Sequence, residues 1–221
     1  MLKDIFMLGI RDNDGIEPGR ITDQAMTAER EMEKKMSIKY CSICGAEMTT
    51  RIPEDDDHIR PVCDRCGHVH YDNPKLVVGC IPMLKDQVLL CKRNIEPRKW
   101  KWTLPAGYLE NGETVEQGAV RETLEETRSH VSIIAPYRMF NLVFVHQIYL
   151  MFRAKLLDTD FGPTKESTDV RLFSESEIPW ENIAFESIRQ TLADFFSDRP
   201  GQAYPFEIKQ IMPPEKHAGP A

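Results

Sequence analysis

Past residue 73 the apolar residues fall into short runs and, in two places, a helical rhythm. Leu76-Val77-Val78-Gly79-Cys80-Ile81 is an apolar run bounded by Asn73-Pro74, and Gln87 to Cys91 is a second after the polar turn Lys85-Asp86. Short apolar runs between turn signals predict strands. Trp100 to Leu104 reads as a brief extended segment that stops at Pro105. Val131 to Ile134, Tyr137 to Phe144, Ile148 to Leu157 and Val170 to Ser174 predict further strands. Thr114 to Arg128 predicts a helix, with Thr114 as N-cap and Gln117 three residues on to complete a capping box. Phe185 to Phe196 predicts another, with Ile188, Leu192, Phe195 and Phe196 on one side.

Outside these elements the patterning weakens. Residues 1–36 are charged and hold five methionines; they read as a loosely attached extension in which Thr27 to Lys35 has some helical character. Residues 199–221 carry Pro200, Pro205, Pro213, Pro214 and Pro220, so little regular structure is expected there. The division that follows is an extension over 1–36, a cysteine-paired unit over 37–72, a main domain over 73–198 and a proline-rich tail over 199–221.

Composition narrows the class. Of 221 residues, 41% are hydrophobic and 29% charged, the balance of a soluble globular chain. The chain has no apolar run of about 18 residues, so no membrane span is expected. A formal net charge of −7 argues against non-specific nucleic-acid binding, which leaves a basic footprint. It is compatible with a nucleotide substrate, because divalent cations bridge acidic side chains to phosphates. Ile5 to Ile10 is too short for a secretory apolar region. Six cysteines without such a signal favour a reducing compartment, and a cytoplasmic location is expected.

Four of those cysteines are paired. Cys41-x2-Cys44 and Cys63-x2-Cys66 are separated by eighteen residues. Each CxxC turn presents two thiolates on one face, and two turns complete a tetrahedral sulfur site. Two disulfides or four unrelated thiols are the competing reading. Gly45 and Gly67 follow the two turns, where positive φ is readily adopted. Four sulfur ligands leave no open position, so a metal here is structural, and His68 and His70 are spectators. The pattern resembles a zinc ribbon. Many zinc ribbons bind nucleic acid, but Glu54-Asp55-Asp56-Asp57 between the turns repels phosphates and favours a scaffold.

Glu122, Glu125 and Glu126 stand at i, i+3 and i+4 of the first predicted helix and share one face. Three carboxylates there repel one another unless a divalent cation neutralises them, and oxygen donors suit magnesium or manganese. A solvated acidic face is the bland alternative. The surrounding stretch decides between them. Gly107, Glu113, Arg121, Glu122, Glu125 and Glu126 stand in the register of Gly, five residues, Glu, seven residues, Arg-Glu-apolar-x-Glu-Glu, a pattern that resembles the Nudix box. Thr123, Arg128 and Ser129 depart from it. Arg128 stands where a glycine closes the helix, which costs about 1 kcal/mol in a left-handed conformation.

The resemblance extends over roughly residues 40–197, through Tyr71-Asp72-Asn73-Pro74-Lys75, Leu89-Leu90-Cys91-Lys92-Arg93, Trp102 to Tyr108 and Arg171-Leu172-Phe173. It is similar to a zinc-ribbon branch of Nudix hydrolases that includes bacterial ADP-ribose pyrophosphatases and plant chloroplast enzymes acting on FAD and ADP-ribose. That resemblance implies an α/β/α sandwich with a mixed sheet, preceded by a zinc ribbon. It implies that Glu122, Glu125 and Glu126 bind magnesium or manganese, helped by the backbone carbonyl near Ala106 and Gly107. Glu113 and Arg121 form an orienting pair. The general base is either a box glutamate or a loop acid, and Glu166 and Asp169, in the polar segment before Val170, are the loop candidates. Trp100, Tyr108 and Phe140 are candidates for stacking on the base or flavin, with core packing the stronger reading for Phe140. Cys80 and Cys91 are read as buried small side chains.

The implied reaction is hydrolysis of the pyrophosphate of a nucleoside diphosphate derivative, ADP-ribose or FAD, with release of AMP. NADH pyrophosphatases pair a ribbon with the same box but carry Ser-Gln-Pro-Trp-Pro-Phe-Pro-x-Ser soon after it, and residues 129–160 hold nothing of the kind. An NADH pyrophosphatase, a Nudix domain that binds without cutting, and a zinc-ribbon interaction protein are the alternatives. A homodimer is expected, with no nucleic-acid or membrane partner.

Overall fold

The computed structural model describes residues 38–213, so the expected extension over 1–36 lies outside the described residues. The chain divides into two compact units between Asp72 and Asn73. In the first, the hairpin β1 (Thr49–Arg51) and β2 (Arg60–Val62) pairs antiparallel, with isolated bridges Tyr40–Glu47 and Val62–Val69 closing the two turns. Its interior is little more than Cys41, Val62 and Cys63.

The second unit is built on one eight-stranded mixed sheet. In chain order its elements are β3 (Lys75–Leu84), β4 (Gln87–Arg93), β5 (Trp102–Thr103), β6 (Ala106–Tyr108), α1 (Val115–Thr127), β7 (Val131–Leu142), β8 (Gln147–Leu156), β9 (Ser167–Phe173), α2 (Glu186–Asp198) and β10 (Glu207–Gln210). The strand order is β10-β7-β8-β3-β4-β5, with β6 also on β3 and β9 also on β4. β3 lies parallel to β8 along nine residues but touches β4 only at the hairpin, Met83–Val88 and Leu84–Gln87. Beyond that the two strands diverge: β6 takes the free half of β3, while β4 pairs with β9 and β5. The divergence opens the place where the candidate site forms.

The apolar runs read as unbroken because both faces of the sheet are covered. Val78, Cys80, Leu89 and Cys91 point to the side of Ala119 on α1, with Phe152, Ala154 and Val170. Ile81, Val88 and Leu90 point the other way, against Ile188, Leu192, Phe195 and Phe196 of α2. The period of two within each strand sorts its residues between two cores. The α/β/α layering is therefore the one expected.

Two expectations are corrected. Val131 to Ile134 and Tyr137 to Phe144, expected as two strands, form one: β7 runs through Pro136. Register shifts between Ile133 and Ala135 and between Pro136 and Arg138 absorb the missing N–H. The tail after residue 198 is also not irregular throughout. β10 adds to the sheet parallel to β7, from Glu207 opposite Arg138 to Gln210 opposite Asn141, because its prolines fall outside those four residues. An ion cluster around the buried Arg138 guanidinium fixes it there. Arg138, 2% exposed, donates to Asp194 at 2.8 Å, to Asp198 at 2.9 Å and to the Pro205 carbonyl at 2.6 Å. Lys209 of β10 donates to the same Asp194 at 2.6 Å, and the Tyr137 hydroxyl donates to Asp198 at 2.7 Å. A guanidinium with these partners fastens strand, helix and tail together.

Candidate functional site

The site is built on the turn from β6 into α1. Thr114 caps the helix, its hydroxyl accepting from the Gln117 N–H at 3.2 Å while Gln117 accepts from the Thr114 N–H at 2.8 Å, the capping box expected. At the other end Arg128 takes φ 66°, and its N–H donates to the Leu124 carbonyl at 2.8 Å. The helix thus closes in the left-handed conformation although the residue is not glycine. Thr123 is fully buried and returns its hydroxyl to the Ala119 carbonyl at 2.8 Å, which makes it acceptable at an apolar position.

Two glycines let backbone and carboxylates approach closely. A Cβ on Gly79 would come within 2.5 Å of the Pro105 carbonyl and of the Ala106 Cβ, and a Cβ on Gly107 would overlap the Glu122 carboxyl. Any side chain at 107 would displace Glu122 from the loop.

Arg121 is the hub. Its Nε and Nη2 donate to the two oxygens of Glu113 at 2.6 and 3.0 Å, its Nη1 to Glu122 at 2.7 Å and Glu125 at 3.0 Å, and its Nη2 also to the Tyr108 carbonyl at 3.0 Å. The Arg121 guanidinium holds Glu113 below the usual carboxylate range, and Glu113 in turn raises Arg121. Glu113 also accepts from the Glu110 N–H at 3.2 Å, so this pair pins the loop to the helix.

The three clustered carboxylates differ. Glu125 is exposed. Glu122 is buried, and burial raises it; Arg121 opposes that rise, and the charges of Glu125 and Glu166 add to it. Glu126 is 5% exposed and accepts from the Ala106 N–H at 3.1 Å. Burial, reinforced by the charge of Glu122, pushes it up to about 7. The Cys91 thiol, itself raised by burial and by Glu126, points at the same oxygen from 3.6 Å. Two buried carboxyls facing one backbone turn form a hard oxygen donor set, and the chemistry of those donors fits a divalent cation. The Ala106 amide, rather than its carbonyl, is what Glu126 touches.

The remaining candidates are distributed as follows. Glu166 is exposed on the loop before β9; its charge is felt at Glu122, and its carbonyl accepts from the Asn94 N–H at 2.7 Å. Asp169 is engaged by Arg171 at 2.5 Å. Tyr108 is half exposed, its hydroxyl accepting from Gln147 at 2.8 Å, with the Lys75 ammonium 5.6 Å from its ring. Trp100 is exposed in the loop between β4 and β5, with Lys99 over its ring. Phe140 is fully buried in a cluster with Leu142 and Ile211 and packs the core. Cys80 and Cys91 are fully buried, and burial pushes Cys80 up to about 12.

Sequence reasoning passed over Arg93 and Tyr149. Arg93 ends β4, is 9% exposed, donates to the Pro97 carbonyl at 2.9 Å and lies 5.1 Å from the Phe185 ring. Its charge lowers Glu126 and the neighbouring Tyr149 phenol, which burial raises. The one signal in the sequence was a cation at the end of an otherwise apolar strand.

In the first unit the four Sγ atoms of Cys41, Cys44, Cys63 and Cys66 lie within 4.8 Å of one another, with Cys41–Cys66 at 3.6 Å and Cys44–Cys63 at 3.5 Å. A disulfide needs about 2.05 Å. Tetrahedral zinc with Zn–S of about 2.3 Å sets its sulfurs somewhat under 4 Å apart. The set therefore fits a tetrahedral ion. Gly45 and Gly67 take φ 70° and 74°, and their N–H groups donate back to the Cys41 and Cys63 carbonyls.

A mixed sheet between two helices, with a carboxylate helix docked on a glycine turn, defines an α/β/α sandwich. The chain belongs to the Nudix family: the NUDIX domain model matches residues 73–195 and the Nudix N-terminal model residues 39–72. The NAD-capped RNA hydrolase NudC of Pseudomonas aeruginosa is 32% identical over 174 residues, 76% of this chain and 59% of the relative. That of Vibrio parahaemolyticus is 28% identical over 73% of this chain and 62% of its own. The chain thus spans about three-fifths of the length of these curated relatives. A crystal structure of a NUDIX hydrolase from Nitrosomonas europaea superposes with a TM-score of 0.77 at 50% identity, covering 79% of this chain and 99% of that one. An ADP-ribose pyrophosphatase from Streptococcus suis, at 20% identity, TM-score 0.50 and coverage of 63% and 100%, shares the fold.

In metal-free protein Glu126→Gln should become more stabilising as pH rises. Its folded carboxyl titrates near 7 rather than 4.5. The native state therefore keeps the proton over that window, and the cost of the buried charge appears as pH climbs through it. Melts should show wild type and variant alike at about pH 4.5, with the variant ahead by on the order of 3 kcal/mol at about pH 8. A difference independent of pH would refute the burial of that charge.

Proposed function

We propose that this chain is a divalent-cation-dependent hydrolase of the pyrophosphate link in a nucleoside diphosphate derivative. The observation that carries the reading is the pair Glu122 and Glu126, buried against Gly107 and Ala106. Burial raises both carboxyls. Magnesium or manganese held by Glu122 and Glu126, with Glu125 beside them, would polarise the phosphates and lower the pKa of water. Arg121 keeps Glu122 and Glu125 pointed to one side and ties them to the loop through Glu113 and the Tyr108 carbonyl. Glu166, exposed and felt at Glu122, is the acid free to take a proton from water. Arg93 places a buried cation near Glu126 and is suited to a phosphate oxygen. Tyr108 and Trp100 offer exposed rings to a base or flavin. Zinc on the four cysteines would be structural, since no coordination position stays open.

For the substrate, ADP-ribose or FAD is the first reading. Residues 129–160, where NADH pyrophosphatases carry their proline-rich signature, are here occupied by β7 and β8 and the turn between them. A second reading comes from the relatives named NAD-capped RNA hydrolases. It would bring in the RNA partner that composition argues against. The exposed acids Glu54, Asp55 and Asp57 in the ribbon weigh against an RNA body.

With ADP-ribose, FAD, NADH and an NAD-capped oligonucleotide under one magnesium or manganese condition, kcat/KM should be highest for ADP-ribose or FAD. NADH or the capped RNA as best substrate would replace the substrate while leaving the chemistry. Glu126→Gln should lower turnover by roughly 100-fold or more, since even indirect partners of a metal cost 10–100-fold; turnover near wild type would remove the residue from the reaction. Elemental analysis of protein purified without chelator should give one zinc per chain. Metal-free protein with Cys41, Cys44, Cys63 and Cys66 as two disulfides would overturn the ribbon assignment.

A further inference from the structure

The sheet ends at β10, whose outer edge has no partner strand among the described residues. Its side chains alternate. Glu207 and Lys209 face α2, Glu207 3.6 Å from Arg138 and Lys209 bound to Asp194. The other side carries Ile208, 62% exposed, and by the same alternation Phe206, 48% exposed, and Gln210. An exposed apolar edge is a template for another strand. Gln210 also borders a cavity of about 230 Å³ walled by Pro74, Leu142, Val143 and Ile148 among others. An engineered apolar cavity of about 150 Å³ takes benzene, so this one has room for an aromatic ring.

We propose that β10 pairs antiparallel with β10 of a second copy of this chain, about a two-fold axis at Ile208, and that Phe206 of each copy enters the cavity beside Gln210 of the other. Charge selects the register. An axis at Glu207 sets Glu207 against itself, and an axis at Lys209 sets Lys209 against itself; like charges directly opposite destabilise a ladder. The axis at Ile208 sets each Glu207 against the other copy's Lys209, Ile208 against Ile208, and Phe206 against Gln210. Pro205 and Pro213 lack N–H groups and limit the ladder to the residues between them. The contact is self-complementary, as two-fold symmetry requires. It uses no residue of the carboxylate site, so its failure and that of the proposed reaction are separate results.

Sedimentation velocity of the full chain at tens of micromolar should give a dimer. Ile208→Asp sets two carboxylates on the axis and should give a monomer with an unchanged circular dichroism spectrum. Phe206→Ala should weaken association by roughly 30-fold or more, the effect of losing a buried aromatic anchor. Under mild oxidation Ile208→Cys should cross-link to itself and Glu207→Cys should not, with wild type as control for the native thiols. A monomeric wild type, a dimer that survives Ile208→Asp, or cross-linking at 207 instead of 208 would overturn the proposal. So would a monomer that associates only after residues 214–221 are deleted, because the chain's own end would then be the occupant.

Discussion

The Arg121 guanidinium ties together the loop, the helix and the end of β6. It bonds both oxygens of Glu113 in the loop, Glu122 and Glu125 on the helix, and the Tyr108 carbonyl at the end of β6. Three carboxylates and a carbonyl within reach of one another are repulsive on their own. One planar fork with several donors makes them cohesive, which a lysine's point charge would do less well. The glycine at 107 then lets Glu122 settle against the turn, and Glu126 reaches the Ala106 amide from the next turn of the helix. Sheet divergence, glycine turn and capped helix all serve that single arrangement.

Much of this was readable in the sequence because local chemistry and tertiary structure agree. The Thr114–Gln117 box, the strand runs around Val78 and Leu89 and the face of α2 around Leu192 all formed where their patterns pointed. Arg128 is instructive in a different way. The box calls for glycine, and the backbone takes φ 66° there regardless. Tertiary packing of α1 and the need to begin β7 outweigh a penalty of about 1 kcal/mol.

What the sequence hid depends on partners far along the chain. β6 is three residues with a central glycine, and only its pairing with Val77, Val78 and Gly79 makes it a strand. β10 is hidden by its flanking prolines, and what holds it is Arg138, sixty-nine residues before Glu207, a link no local pattern reveals. Arg93 looked like the polar end of a strand. It is buried because β4 and β3 part there and Phe185 covers it. Residues that gain their role from sheet topology, unlike those that gain it from helix spacing, carry no periodic signal.

The central claim is that Glu122 and Glu126 are charged, buried and compensated by a divalent cation. Manganese binding followed by electron paramagnetic resonance tests it without reference to any substrate. Wild-type protein should show a manganese site that weakens at least tenfold in Glu126→Gln, with the zinc content of the ribbon unchanged. Equal manganese affinity in the two proteins would contradict it.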